Sequence, residues 1–140
     1  MTAPRPILLV EDNPMDVDLA LRAFKRHKPT HPIEVARDGE EALAWIPRWE
    51  SGEPRPLIIL LDLKLPRVGG MEVLRLLKAH PVFSAIPVVV LSTSAGGQDA
   101  QEAYALGANS YIVKPTDFDR FLDMAGQILS YWTALNLPPE

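Results

Sequence analysis

A chain of 140 residues, 47% hydrophobic and 23% charged, has the apolar content of one globular domain with its own core. Its net charge of −4 and the lack of any Lys/Arg run argue against direct nucleic-acid binding, and the absence of cysteine removes disulfides, thiolate metal sites and thiol nucleophiles together. No apolar run approaches the roughly 18 residues of a membrane span, and Met1–Pro6 is too short and polar for a signal peptide, so a cytoplasmic location is the expectation.

Ile7–Val10 is the first buried-strand candidate and runs into Glu11-Asp12. Asn13-Pro14 then provides an N-cap and a first-turn proline, with Asp16 in the first turn and Val17, Leu21 and Phe24 on one helical face to about His27. After the Pro29–Pro32 turn, Ile33–Ala36 reads as a second strand. Asp38 caps a helix through Ala42, Leu43, Trp45 and Ile46, which Pro47 must kink or end. A loop over 50–56 leads to Leu57–Leu61, five aliphatic residues in a row, the signature of a strand buried on both faces. Asp62 stands where that strand runs out. Gly69-Gly70 opens a helix with Val73, Leu74 and Leu77 inward, ending near His80-Pro81. Ile86–Leu91 is a fourth strand followed by Ser92, and a further helix holding Ala100, Ala103, Tyr104 and Leu106 stops at Gly107. Asn109–Val113 is the fifth strand and runs into Lys114-Pro115. Asp117 caps a last helix with apolar positions 118, 121, 122, 125, 128, 129 and 132, a 3.6-residue period. Five strands alternating with five helices predict an α/β fold with a parallel sheet and helices on both faces.

In a parallel sheet the strand ends share one edge, and the polar residues at these ends serve no need of a buried strand. Glu11, Asp12 and Asp62 gathered there would repel one another unless a cation sat among them. Oxygen ligands, few and partly open to water, suit Mg²⁺. With the Lys114 ammonium and the Ser92 hydroxyl they form an electrostatic pocket for a phosphoryl group, in which an Asp carboxylate can itself be the nucleophile.

The order and spacing of Glu11-Asp12, Asp62 in Leu61-Asp62-Leu63-Lys64-Leu65-Pro66, Ser92 and Lys114-Pro115 resemble the signature of response-regulator receiver domains. That resemblance covers essentially the whole chain. It implies a flavodoxin-like three-layer fold with strand order 2-1-3-4-5 and Asp62 as acceptor of a phosphoryl group from a sensor histidine kinase. It further implies Mg²⁺ held by Glu11, Asp12, Asp62 and the backbone carbonyl of Lys64, a cis Lys114-Pro115 bond, and Tyr111 as a rotameric switch acting with Ser92. Such a protein is no enzyme beyond catalysing its own phosphorylation and dephosphorylation. Pro87–Ser94, Leu106–Tyr111 and the Tyr131-Trp132 helix end look like the single-domain regulators paired with bacterial phytochromes, which makes a phytochrome-type kinase the expected partner. One receiver domain over 1–140 is expected, with its core at about 5–134, an apolar extension at 131–140 and no output domain, so that any signal leaves through binding. Tyr131, Leu135 and Leu137 lie off the inward stripe of the last helix and are expected to meet a second copy in a homodimer. Lys64 departs from the common pattern and is expected to lean over the acidic pocket and prolong the life of the phosphoryl group. Thr93 is expected to narrow access. A dehalogenase-type phosphatase would need an acid at position 64, and a flavin carrier a less anionic loop than 12–16; a receiver-like scaffold that is never phosphorylated is the alternative.

Overall fold

The computed structural model describes residues 4–139; Met1–Ala3 and Glu140, the ends of the expected 1–140 domain, lie outside the described residues. Five parallel strands form one sheet in the order β2-β1-β3-β4-β5: β1 Ile7–Val10, β2 Ile33–Ala36, β3 Ile58–Asp62, β4 Val88–Ser92 and β5 Ser110–Val113. The three central strands are buried along their whole length, which is why their sequences are continuously apolar rather than alternating.

Alternate residues of those strands feed two separate cores. Leu8, Val10, Ile59, Leu61, Val88 and Val90 face one layer, built from α2 (Gly39–Leu43), α3 (Trp45–Glu50), α4 (Gly70–Ala79) and α5 (Gly97–Ala105). Ile7, Leu9, Ile58, Leu60, Val89 and Leu91 face the other, where Ala20, Ala23 and Phe24 of α1 (Pro14–Arg26) meet Phe121, Ala125, Ile128 and Leu129 of α6 (Phe118–Leu129). The expected 2-1-3-4-5 flavodoxin-like sandwich is the observed one.

The expected second helix is in two pieces. Proline cannot follow a helical carbonyl four residues back, and the chain obeys: helix stops at Leu43, four residues before Pro47, and restarts after Ala44. Pro47 then lies in the first turn of α3, where its missing N–H costs nothing. This break lets Trp49 enter the core edge-on to Phe83, with ring centroids 5.4 Å apart, while Trp45 stacks over it at 6.5 Å.

Two polar contacts weld elements that the periodicity alone leaves unconnected. The His27 ring at the end of α1 lies against Gly126, and its Nε2 is 2.7 Å from the Leu122 carbonyl of α6. The Lys78 ammonium donates to the carbonyls of Ser84 and Ile86, both at 2.9 Å, and to Asn109 Oδ1 at 3.0 Å, tying α4 to the starts of β4 and β5. Burial lowers its pKa from the ordinary lysine value.

The Lys114-Pro115 bond is trans, as are all peptide bonds among the described residues, which corrects the cis isomer implied by family resemblance. The two X-Pro isomers differ by only about 0.5–1 kcal/mol, so local packing decides between them. With the trans bond the Lys114 N–H donates to the Ser92 carbonyl at 2.8 Å. Past α6 the chain continues as a π-helical turn, Ser130–Leu135. Tyr131 is half-exposed there and packs edge-on to Trp132 with ring centroids 4.8 Å apart, whereas Leu135 and Leu137 are 74% and 91% exposed and do not fold back onto their own domain.

Candidate functional site

Strand register alone assembles the site. Val10 pairs with Leu61, Asp62 with Leu91, and Ser92 with Val113, so Glu11, Asp62, Ser92 and Lys114 leave the sheet along one edge. Glu11, Asp62 and Ser92 are buried, Asp12 half-buried. One carboxylate oxygen from each of Glu11, Asp12 and Asp62 lies within 4.8 Å of the other two.

Lys114 is the cation on which the acids converge. Its ammonium donates to Glu11 and stands 3.4 Å from Asp16 Oδ2 and 3.5 Å from Asp62 Oδ2. Burial above all, then the neighbouring Asp62, pushes the Glu11 carboxyl up to about 7, against the pull of Lys114. Burial also works against the charge on Lys114, yet Glu11, Asp62 and Asp16 together hold its pKa above the ordinary lysine value. One ammonium thus faces three carboxylates, with Asp12 a fourth acid at the same edge, an excess of negative charge on oxygen donors that fits a small hard dication.

The loops are fastened by their own backbone. Asn13 caps α1 by accepting from Met15 N at 2.9 Å and Asp16 N at 3.2 Å, which brings Asp16 over the strand end. Asp62 Oδ1 accepts from the Lys64 N–H at 3.3 Å. A Cβ at Gly70 would stand 2.4 Å from the Asp62 carbonyl, so only glycine lets α4 start this close to β3. Ser92 Oγ accepts from Ser94 N at 3.1 Å, and the Tyr111 hydroxyl donates to the Ser94 carbonyl at 2.8 Å.

Glu11, Asp12, Asp62 and Lys114 therefore meet, and Ser92 ends the neighbouring strand on the same edge; Tyr111 bonds to the Ser94 carbonyl rather than to the cluster, and the side chain of Lys64 stays out. That side chain is exposed and forms no ion pair among the described residues; only its N–H touches the site. Thr93 is likewise exposed. Asp16 was overlooked: in the sequence it reads as a first-turn acid, and only the tight Asn13 cap, by fixing where the helix begins, could have signalled its place. Tyr104 was overlooked as well; its hydroxyl accepts from the Tyr111 N–H at 3.1 Å.

A five-stranded parallel sheet carrying an acid cluster and a lysine on one edge defines a receiver, and the chain belongs to the response regulator receiver domain family, whose model matches residues 7–125. It is 39% identical over 131 residues to Response regulator Rcp1 of Synechocystis, covering 92% of this chain and 89% of that protein; the crystal structure of the Mn²⁺-bound form of Rcp1 superposes with a TM-score of 0.88, covering 98% and 100%. The crystal structure of the phosphorylated cyanobacterial phytochrome response regulator RcpA, 36% identical, matches with a TM-score of 0.90 over 99% of this chain and all of that one. A methanogen protein, Probable methanogenesis regulatory protein FilR2 of Methanothrix harundinacea, is 43% identical over 137 residues, covering 97% of this chain and 88% of that protein. Among the described residues no helix is long and apolar enough to cross a membrane.

Proposed function

We propose that Asp62 accepts a phosphoryl group from a phosphohistidine on a sensor kinase, and that the occupied site alters what the protein binds. The observation that carries this reading is the ammonium of Lys114, on a side chain only 9% exposed, lying 3.5 Å from Asp62 Oδ2 within a surplus of carboxylates. An Asp62 oxygen attacks phosphorus; the P–O bond forms as the P–N bond breaks, and its electron pair leaves on the imidazole nitrogen, which takes a proton from solvent. Lys114 pairs with the incoming phosphoryl oxygens. Glu11, Asp12, Asp62 and the Lys64 carbonyl are the groups that would hold Mg²⁺, which supplies further neutralisation of charge on the transferring group. Ser92 exchanges its bond from Ser94 N for one to the phosphoryl, drawing the 93–96 loop inward, and Tyr111 loses its acceptor on Ser94 and swings into the space vacated. The protein catalyses nothing beyond its own phosphorylation and dephosphorylation.

The kinship with RcpA, a phytochrome response regulator by description, supports a phytochrome-type histidine kinase as donor. A cytoplasmic location follows from that role. The Mn²⁺ in Rcp1 supports a divalent cation at the acid cluster. Beryllofluoride with Mg²⁺ tests the reading. A phospho-accepting receiver binds both together and shifts the amide resonances around Asp62, Ser92 and Tyr111; a scaffold that is never phosphorylated shows no shift.

The metal adds a pH dependence. Because Glu11 is raised to about 7 from its ordinary 4.5, the metal-free folded protein keeps a proton that the unfolded chain has released. The stability this gives is complete below pH 4.5 and is lost as pH rises through 7. Mg²⁺ must displace that proton at pH 6 but hardly at pH 8, so its affinity should rise about tenfold between them, read by titration calorimetry. An affinity that does not change with pH would remove Glu11 from the ligand set.

The exposed Tyr131, Leu135 and Leu137 support a homodimer built on the end of α6. Burying such side chains is worth about 1.5–3 kcal/mol each. Sedimentation at micromolar concentration is expected to give twice the monomer mass, and Leu135→Ser with Leu137→Ser to restore the monomer.

A further inference from the structure

Tyr111 is bonded to the loop that leads into α5 and to the last turn of that helix. Its hydroxyl donates to the Ser94 carbonyl, in the loop where the Ser94 hydroxyl accepts from the N–H of Gly96, the residue that caps the helix. At the far end its backbone N–H donates to the hydroxyl of Tyr104, in the last turn. The second bond follows from topology. β5 is an edge strand, and its N–H groups alternate in direction; Lys114 N–H faces β4, so Tyr111 N–H faces outward with no strand to receive it. Tyr104 supplies the acceptor from α5, and its ring is 52% exposed.

We propose that Tyr104 is a second positioning residue of the switch, its hydroxyl holding the end of α5 on β5 in the unphosphorylated protein. This rests on the reading of Asp62 and Tyr111 given above and extends the movement from a loop to a helix. A helix of nine residues moves as a rod, so drawing its leading loop toward the phosphoryl group tilts its far end and both bonds to Tyr111 open together. The half-exposed Tyr104 ring then changes position at the surface, where a partner can read it. Tyr104→Phe keeps the ring and removes only the acceptor, so it weakens the resting arrangement and leaves the acid cluster untouched.

Beryllofluoride titrations at saturating Mg²⁺, followed by amide resonances, test this. A neutral hydrogen bond contributes about 0.5–1.5 kcal/mol, so Tyr104→Phe should bind beryllofluoride about two- to tenfold more tightly than the parent protein. Tyr111→Phe, which opens the near bond, should move affinity in the same direction, and the double variant should gain less than the product of the two, because the bonds hold one rod. Glu102→Gln, an exposed change on the same helix, should leave affinity unchanged. A merely structural role would lower thermal stability without moving beryllofluoride affinity, and that result for Tyr104→Phe overturns the proposal while leaving the phospho-acceptor reading intact. Strict multiplicativity in the double variant also overturns it. If the parent protein takes up no beryllofluoride, the phospho-acceptor reading itself fails and takes this one with it.

Discussion

Lys114→Met is expected to destabilise the metal-free protein by about 3–5 kcal/mol at pH 8, the usual cost of leaving a buried charge without its partner. The pair is buried on both sides, with the lysine side chain 9% and the glutamate side chain 2% exposed, so solvent does little to relieve the loss. Methionine keeps the length and most of the volume, which confines the effect to charge. The penalty should shrink at pH 6. Glu11, already raised to about 7, rises further once the ammonium is gone and takes a proton, so the cluster carries one negative charge less. Mg²⁺ should restore most of the lost stability at pH 8 and less at pH 6. Chemical denaturation at the two pH values, with and without the metal, reads all four quantities; a penalty independent of pH and of Mg²⁺ would mean that Lys114 acts through packing alone.

Asp62→Asn is expected to abolish phosphoryl uptake, a loss of at least about a thousandfold measured by phosphotransfer from a kinase or from a small phosphodonor, since the amide is no nucleophile. The same change should stabilise the metal-free protein. Asp62 shares its edge with Glu11 and Asp12 against a single ammonium, so removing one charge relieves more repulsion than it loses in attraction at 3.5 Å. Glu11 falls toward its ordinary range at the same time, because Asp62 is one of the causes that raise it. Melting temperature should therefore rise without metal and respond less to Mg²⁺ than in the parent protein. A variant that still takes up phosphate at the parental rate would place the acceptor elsewhere.

Much of this was legible in the chain itself. A strand such as Ile58–Leu61, buried on both faces, has no use for a carboxylate at its end, so Asp62 stood out against an apolar run that made it conspicuous. Alternation of strands and helices fixed the parallel sheet, and a parallel sheet puts all such ends on one edge. What stayed hidden depended on orientation between elements. Asp16 belongs to the cluster only because α1 starts immediately above β1, and Lys78 reads as an ordinary helix-surface lysine until the turns carrying Ser84 and Ile86 fold back over it. Tyr104 and Tyr111 come from separate elements, and nothing in the period of α5 says which residue will cover the open side of β5. The break at Ala44 was half visible: Pro47 announced it, but only the restart at Trp45 turned one helix into two.

The Lys114–Glu11 contact spans 103 positions of the chain. During synthesis every acid of the cluster leaves the ribosome before the one cation that steadies it, and the strand that delivers Lys114 is the last to arrive. The nascent chain consequently carries its repelling acids ahead of their counter-charge, and a divalent ion in the surrounding fluid is expected to stand in for it and let the sheet close early. Refolding should accordingly speed up with magnesium, and more so in alkaline than in acidic buffer.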